Sequence, residues 1–268
     1  MKSPDLTLLL GPQTRLGRAL NDIIREHRVE LNANGLVAYP SRVGDKTFRE
    51  FQSGVPRSDI HASLGIGQDK PVFLSATKGL GAPANSFRHR ELLPDAEACL
   101  ASWAELTNGI GLHVVLTIDP IPTFFACMNH ASANAAVAAT PWDALYEVVW
   151  ADLVLAVVEM LPDAQVTVLT ERGAFVAAET VSPLLFGDSA AVVTADGLRN
   201  GLLPLKSNEV FPQGKAKLST YFDAISRRPD DVWLKDELGM EGVTADLLLD
   251  RFHEDLRSIS GISGVQLI

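Results

Sequence analysis

The chain has 268 residues, with 23 Lys and Arg against 33 Asp and Glu, and a formal charge of −10. That field repels polyanions and argues against a nucleic-acid partner. A composition 47% hydrophobic and 21% charged excludes extended disorder, and a chain of this length buries roughly 75% of the surface it exposes when unfolded, enough for one large α/β domain.

The N-terminus "MKSPDLTLLLGPQ" has too short an apolar run for a signal peptide. Cys99 and Cys127 form no C-x-x-C or Cys/His ligand spacing, so a cytoplasmic protein with reduced thiols is expected. The run Leu6–Leu10 reads as a buried strand. In the helix that follows, Leu16, Leu20, Ile23, Ile24 and Leu31 keep a 3.6-residue period, while Arg18, Arg25, Glu26 and Glu30 take the wet face. Further short apolar runs at Val72–Leu74, Val114–Ile118 and Val166–Leu169 alternate with helical patterns, which predicts βαβ units: a parallel sheet flanked by helices. "LLPDAEACLASWAEL" (92–106) opens with a Pro-Asp start signal and feeds the strand "LHVVLTI". "TPWDALYEVVWADLVLAVVEMLP" (140–162) predicts one helix, with Thr140 as N-cap, Pro141 at the first position and Pro162 past the end. Glu147, Asp152 and Glu159 interrupt that apolar stretch, so it does not read as a membrane span. "FGDSAAVVTADGLRNGLLP" reads as helix and loop, and the C-terminal part reads as helical as far as "GVQLI". With no repeat and no linker tract, residues 1–268 form a single domain in this reading.

A strand running into a turn and a helix start gathers free backbone N–H groups and the helix dipole at one spot, where an anion is favoured. In "GPQTRLGRAL" that turn holds Gly11, Pro12, Gln13, Thr14, Arg15, Leu16, Gly17 and Arg18. It matches neither G-x-x-x-x-G-K-[ST] nor G-x-G-x-x-G, and by itself reads either as a phosphate site or as an ordinary strand-to-helix connection. "SFRHRE" (86–91) sets Arg88, His89 and Arg90 downstream of Thr77 and Lys78, either as a basic rim for an anionic substrate or as a solvated loop. His27 reads as a surface or half-buried packing residue, and Cys127 with His130 lacks the acid that would orient a nucleophilic pair. Trp103, Trp142 and Trp150 read as core, "PDDVWLKDELGMEG" as a solvated face, and no carboxylate pattern calls for a metal.

Several segments resemble one family, in order along the chain. "GPQTRLGRALNDIIREHRVELNANGLVAYPS" is similar to the start of the sulfotransferase-like proteins of the P-loop NTPase fold, in which P-K-T-G-T-T/S leads to N-R-x-x-L and G-[IV]-x-Y-P. "VFLSATKGLGAP" resembles S-x-E-N-L-L-G, and "VVLTIDPIPTFFACMNH" resembles a strand ending in L-x-x-R followed by F-x-x-S-x-Y. "LPDAQVTVLTE" resembles P-x-A-x-[LV]-x-V-x-x-[YF]-E, and "FHEDLRSISGISGVQLI" the ending Y-x-x-D-[LM]-x-x-I-x-x-[IL]-x-G-V-x-[FL]-I.

The resemblance implies a P-loop-type α/β fold and a site for the donor 3′-phosphoadenylyl sulfate or its bisphosphate product. The family's loop lysine falls on Gln13 or Thr14, its glutamate on Thr77, the 3′-phosphate arginine on Asp119 and the serine on Cys127. All four have changed, while Pro12, Thr14, Gly81, Phe124, Phe125 and Glu171 keep the scaffold pattern. Two functions follow as expectations, with a different phosphoryl-handling enzyme on this fold behind them. One is a relative with a degenerate donor site, non-catalytic or holding another anionic ligand. The other is an active sulfotransferase that uses Arg15, Arg18 and backbone N–H groups to act on a hydroxyl of a saccharide or small molecule. The sequence leaves the ligand, the general base and the oligomeric state open.

Overall fold

The computed structural model describes residues 4–11, 14–81, 92–121, 124, 148–202 and 242–268, with residues 15 and 242–245 described by their backbone alone. Six strands form one sheet: β1 (Leu6–Leu10), β2 (Val37–Tyr39), β3 (Val72–Ala76), β4 (Leu112–Ile118), β5 (Gln165–Thr170) and β6 (Val265–Leu267). Their order is β2-β3-β1-β4-β5-β6, and every neighbouring pair is parallel. The predicted parallel α/β architecture is therefore the one observed. All five residues of β1 are buried, as a central strand covered on both faces requires.

The helices are α1 (Arg15–Ala33), α2 (Ser41–Gln52), α3 (Arg57–Leu64), α4 (Ala96–Thr107), α5 (Trp150–Met160), α6 (Glu171–Val176), α7 (Ala178–Phe186), α8 (Ala195–Leu202) and α9 (Gly242–Ser260), with a 3₁₀ turn at Gly187–Ala191. Side chains along a strand alternate between faces, which divides the core in two. Leu9, Phe73, Val115 and Leu169 pack under α1, through Leu16, Leu20 and Ile24, and under α7, through Val181 and Leu185. Leu8, Leu74, Val114 and Val168 pack on the other face, against Phe48 of α2, Trp103 of α4, Trp150 of α5 and Phe252 of α9. The apolar period of α1 is thus a real core stripe, and Trp103 and Trp150 are core residues as expected. Trp142 lies outside the described residues.

Handedness accounts for this division. The connection from β1 runs outward to β2 with α1 on one face, whereas those from β3 and β4 run the opposite way with α4 and α5 on the other. Right-handed crossovers demand that swap of faces. β1 lies between β3 and β4, whose connections both leave opposite to its own, so the crevice beyond the carboxyl ends of β1 and these neighbours is the ligand-binding position of an open α/β sheet.

Two details differ from the sequence expectation. The single helix over 140–162 is not what forms: Val148 and Val149 lie outside any helix, Val149 is extended (φ −130°, ψ 146°), and α5 begins at Trp150. Thr140 and Pro141, its predicted start signals, lie outside the described residues. The second difference is β2, whose three residues bury only Ala38 fully and carry too little pattern to be read.

The sheet and α2 approach so closely that a Cβ on Gly44 would sit 2.0 Å from the Ser75 carbonyl oxygen, which explains a glycine inside that helix. Among the described residues, no helix is long and apolar enough to cross a membrane.

His113 lies in β4 on the α1 face, 1% exposed, with Nε2 2.9 Å from Thr167 Oγ1. Burial pushes its pKa down to about 4. Unfolded histidine takes up a proton below its ordinary value while the folded ring resists, so this stability is complete above about pH 6.5 and is lost as the pH falls towards 4. Denaturant titrations should show the wild type losing about 2.5 kcal/mol more than His113→Gln between neutral pH and roughly pH 4.5. Identical pH profiles would contradict the burial argument.

Candidate functional site

The crevice at the switch point is built from the residues that end β1 and β4. In the β1–β4 pairing Leu9 sits opposite Val115, which brings Gly11 level with Thr117. A Cβ on Gly11 would lie 2.8 Å from Thr117 Oγ1, so a glycine lets the two strand ends close up. Thr14, fully buried and extended (φ −65°, ψ 162°), is the N-cap of α1. Its hydroxyl accepts from the Gly17 N–H at 2.9 Å and lies 2.6 Å from Thr117 Oγ1, and its carbonyl accepts from the Arg18 N–H at 3.1 Å. Such a cap contributes about 1 kcal/mol to a helix. Here it also takes up an N–H that an anion would otherwise use.

Asp119 follows β4 directly and is 1% exposed. Its carbonyl accepts the Trp150 indole N–H at 2.7 Å. The Trp150 ring meets Phe124 edge-on, with centroids 5.0 Å apart, and Trp150 is itself held by α9, where the Asp255 carboxylate accepts from the backbone N–H groups of Trp150 (2.5 Å) and Ala151 (2.8 Å). Asp255 is thus the cap of α5, supplied from 105 residues away. Burial raises its carboxyl pKa above the usual range, and those two N–H groups pull it back down. A relay of hydrogen bonds therefore runs from α9 through α5 to the end of β4.

Of the residues singled out from sequence, the fold brings Gly11, Thr14, Gly17 and Arg18 to the same strand end, beside Thr117 and Asp119. Arg18 is half-buried in the first turn of α1. Leu16 turns its side chain wholly into the core, leaving only its backbone for a ligand. Pro12, Gln13, Cys127, Arg88, His89 and Arg90, together with His130, lie outside the described residues, as does the side chain of Arg15. His27 is half-buried, with Nδ1 3.0 Å from Glu30 Oε2, which is a surface packing role.

Thr77 and Lys78, just past β3, belong to a second hollow. The Lys78 N–H donates to Asp45 Oδ1 at 2.9 Å and the Thr77 hydroxyl to Asp45 Oδ2 at 3.4 Å. Asp45 sits on α2 and lines a cleft of about 450 Å³ with Arg42, Phe48, Arg49, Gln52, Lys78, Gly81 and Cys99. Burial raises the Asp45 carboxyl pKa, opposed by the Lys78 N–H and by the charges of Lys78 and Arg49. Phe48 floors this region, stacked on Trp103 at 4.6 Å, and the Trp103 indole N–H donates to the Gly79 carbonyl at 2.8 Å. Sequence reasoning passed over Arg42, Asp45 and Arg49, although their i, i+3, i+7 spacing places them on one helix face. Among the described residues, no group of three His, Cys, Asp or Glu could hold a metal ion.

No protein-family model matches the chain, and no curated protein or solved structure matches it either.

The Thr14–Thr117 contact is open to a double-mutant cycle. Thr14→Val and Thr117→Val should each destabilise the protein, and the double variant should fall short of their sum by about 1 kcal/mol, because removing one partner strands a buried hydroxyl whereas removing both does not. Strict additivity in denaturant titrations would show that the two hydroxyls do not depend on one another.

Proposed function

We propose that this chain is a relative of the sulfotransferases of the P-loop fold whose donor crevice no longer holds 3′-phosphoadenylyl sulfate, and that it binds an anionic small molecule without transferring sulfate. Two placements of the resembling segments support this reading. The opening loop and the segment resembling L-x-x-R end adjacent parallel strands, at the switch point of the sheet. The segment resembling Y-x-x-D contributes Asp255, whose work as the cap of α5 is structural and explains that residue without catalysis.

One observation carries the loss of the donor: Asp119, at the position where the resemblance calls for a phosphate-binding arginine, is a buried carboxylate at the end of β4. Opposite charges ~4 Å apart attract by about 4 kcal/mol at an effective dielectric near 20, and exchanging the arginine for a carboxylate makes that term repulsive. The Thr14 hydroxyl supports the same reading, since it already occupies the Gly17 N–H at the helix start. Without the loop lysine, charge developing on the leaving phosphate also loses its chief electrostatic stabiliser.

Calorimetric titration with adenosine 3′,5′-bisphosphate tests the reading. The wild type should give no saturable heat that Arg18→Ala removes. Binding should appear in a Gln13→Lys, Asp119→Arg double variant, with Gln13→Lys, Asp119→Asn as the milder pair in case the buried arginine prevents folding. Micromolar binding by the wild type, abolished in Arg18→Ala, would overturn the proposal and favour an active sulfotransferase with a rebuilt donor site.

A further inference from the structure

The cleft between α2, α4 and the turn after β3 has a charge balance opposite to that of the chain as a whole. On α2, Arg42, Asp45, Arg49 and Gln52 form one stripe along the cleft, while Lys46 and Glu50 pair with each other elsewhere on the helix at 3.3 Å. The stripe brings in a single carboxylate, Asp45, and both of its oxygens are engaged, one by the Lys78 N–H and the other by the Thr77 hydroxyl. Asp45 therefore acts as the clasp that fixes the β3 turn against α2 and holds Lys78 at the cleft. Three cations, Arg42, Arg49 and Lys78, remain to face solvent there, against the occupied Asp45 carboxylate and that of Asp95, which lies beside Gly81 and Cys99 at the cleft wall. In a chain of net charge −10, even a local excess of one positive charge on one concave surface runs against the background.

We infer that this cleft binds a phosphate-bearing small molecule of about monosaccharide size, with the guanidinium groups of Arg42 and Arg49 and the Lys78 ammonium gripping the phosphate. Guanidinium groups donate bidentate hydrogen bonds to phosphate oxygens, and an ammonium adds a compact point charge. At about 450 Å³, the cleft falls within the range of small-ligand sites. Its other lining adds the Gln52 amide as donor and acceptor and, at the floor, the edge of the buried Phe48 ring, held by its stack on Trp103. The clasp sits at the carboxyl ends of β2 and β3, on the same edge of the sheet as the switch-point crevice but one strand beyond β1. This inference rests on the reading of the chain as a binder of an anionic small molecule, and it gives that ligand a location and a chemical class.

Calorimetry on the full chain, with glucose 6-phosphate, inorganic phosphate and glucose as probes, tests it. Glucose 6-phosphate should bind saturably at one site, inorganic phosphate more weakly, and glucose not at all. Arg42→Ala, Arg49→Ala and Lys78→Ala should each weaken glucose 6-phosphate binding about tenfold, as expected for loss of a charge-assisted bond. All three side chains are exposed, so their melting temperatures should stay near that of the wild type. Asp45→Asn, which removes the carboxylate on α2 while keeping an acceptor for the Lys78 N–H, should tighten binding. Failure of either phosphate to bind, or binding unchanged in all three cation variants, would overturn the inference. The outcome is separable from the donor question, because binding of the bisphosphate at the β1–β4 crevice would be untouched by Arg42→Ala and Lys78→Ala.

Discussion

The architecture turns on how closely the end of β1 approaches the end of β4. Gly11 leaves no room for a side chain against Thr117, and the Thr14 and Thr117 hydroxyls meet at 2.6 Å in a site closed to water. A hydroxyl removed from water without a partner costs about 1–3 kcal/mol, so this pair holds the first turn of α1 against the central sheet as firmly as an apolar contact would. Because β1 and β4 send their connections in opposite directions, the same approach lies where a parallel sheet of this order opens a crevice. What that crevice can hold is set by the groups around it: a capped helix start on the β1 side and a buried carboxylate on the β4 side.

The β4 side is controlled from the far end of the chain. Asp255 anchors the first N–H groups of α5, Trp150 carries that anchor to the Asp119 carbonyl, and Phe124 closes the ring edge. The result is a rigid wall whose polar groups are committed to one another. A rigid wall of this kind serves recognition when its charges suit the ligand. In the proposed reading the acidic Asp119 at the end of β4 disfavours an anion in that crevice, while the neighbouring cleft against α2 offers cations. The proposed division of labour follows from those two local charge balances and not from the fold, which by itself hosts many functions.

How much of this could be read from sequence depends on the range of the interactions involved. β1 and α1 were legible because Leu6–Leu10 and the Leu16–Leu31 stripe carry their own periodicity over enough residues to be unambiguous. β2 was not, since a three-residue strand with one fully buried side chain carries almost no pattern. The start of α5 was misjudged for a different reason: its capping group lies on α9, so the nearby Thr140 and Pro141 offered a local signal for a boundary that a distant residue sets. At the site, Gly11 and Thr14 were singled out by a strand-turn-helix reading and Asp119 by the family resemblance, whereas the cationic cleft was not foreseen. Arg42 and Arg49 share a helix face visible from their spacing, but only the Asp45 clasp reveals that Lys78 joins them.

The account is tested most directly by a crystal structure of the full chain grown with both glucose 6-phosphate and adenosine 3′,5′-bisphosphate. It predicts density for the sugar phosphate between Arg42, Arg49 and Lys78, with no nucleotide beside Gly11, Thr117 and Asp119. A nucleotide seated in the β1–β4 crevice, its phosphate against the first turn of α1 and the α2 cleft vacant, would contradict it.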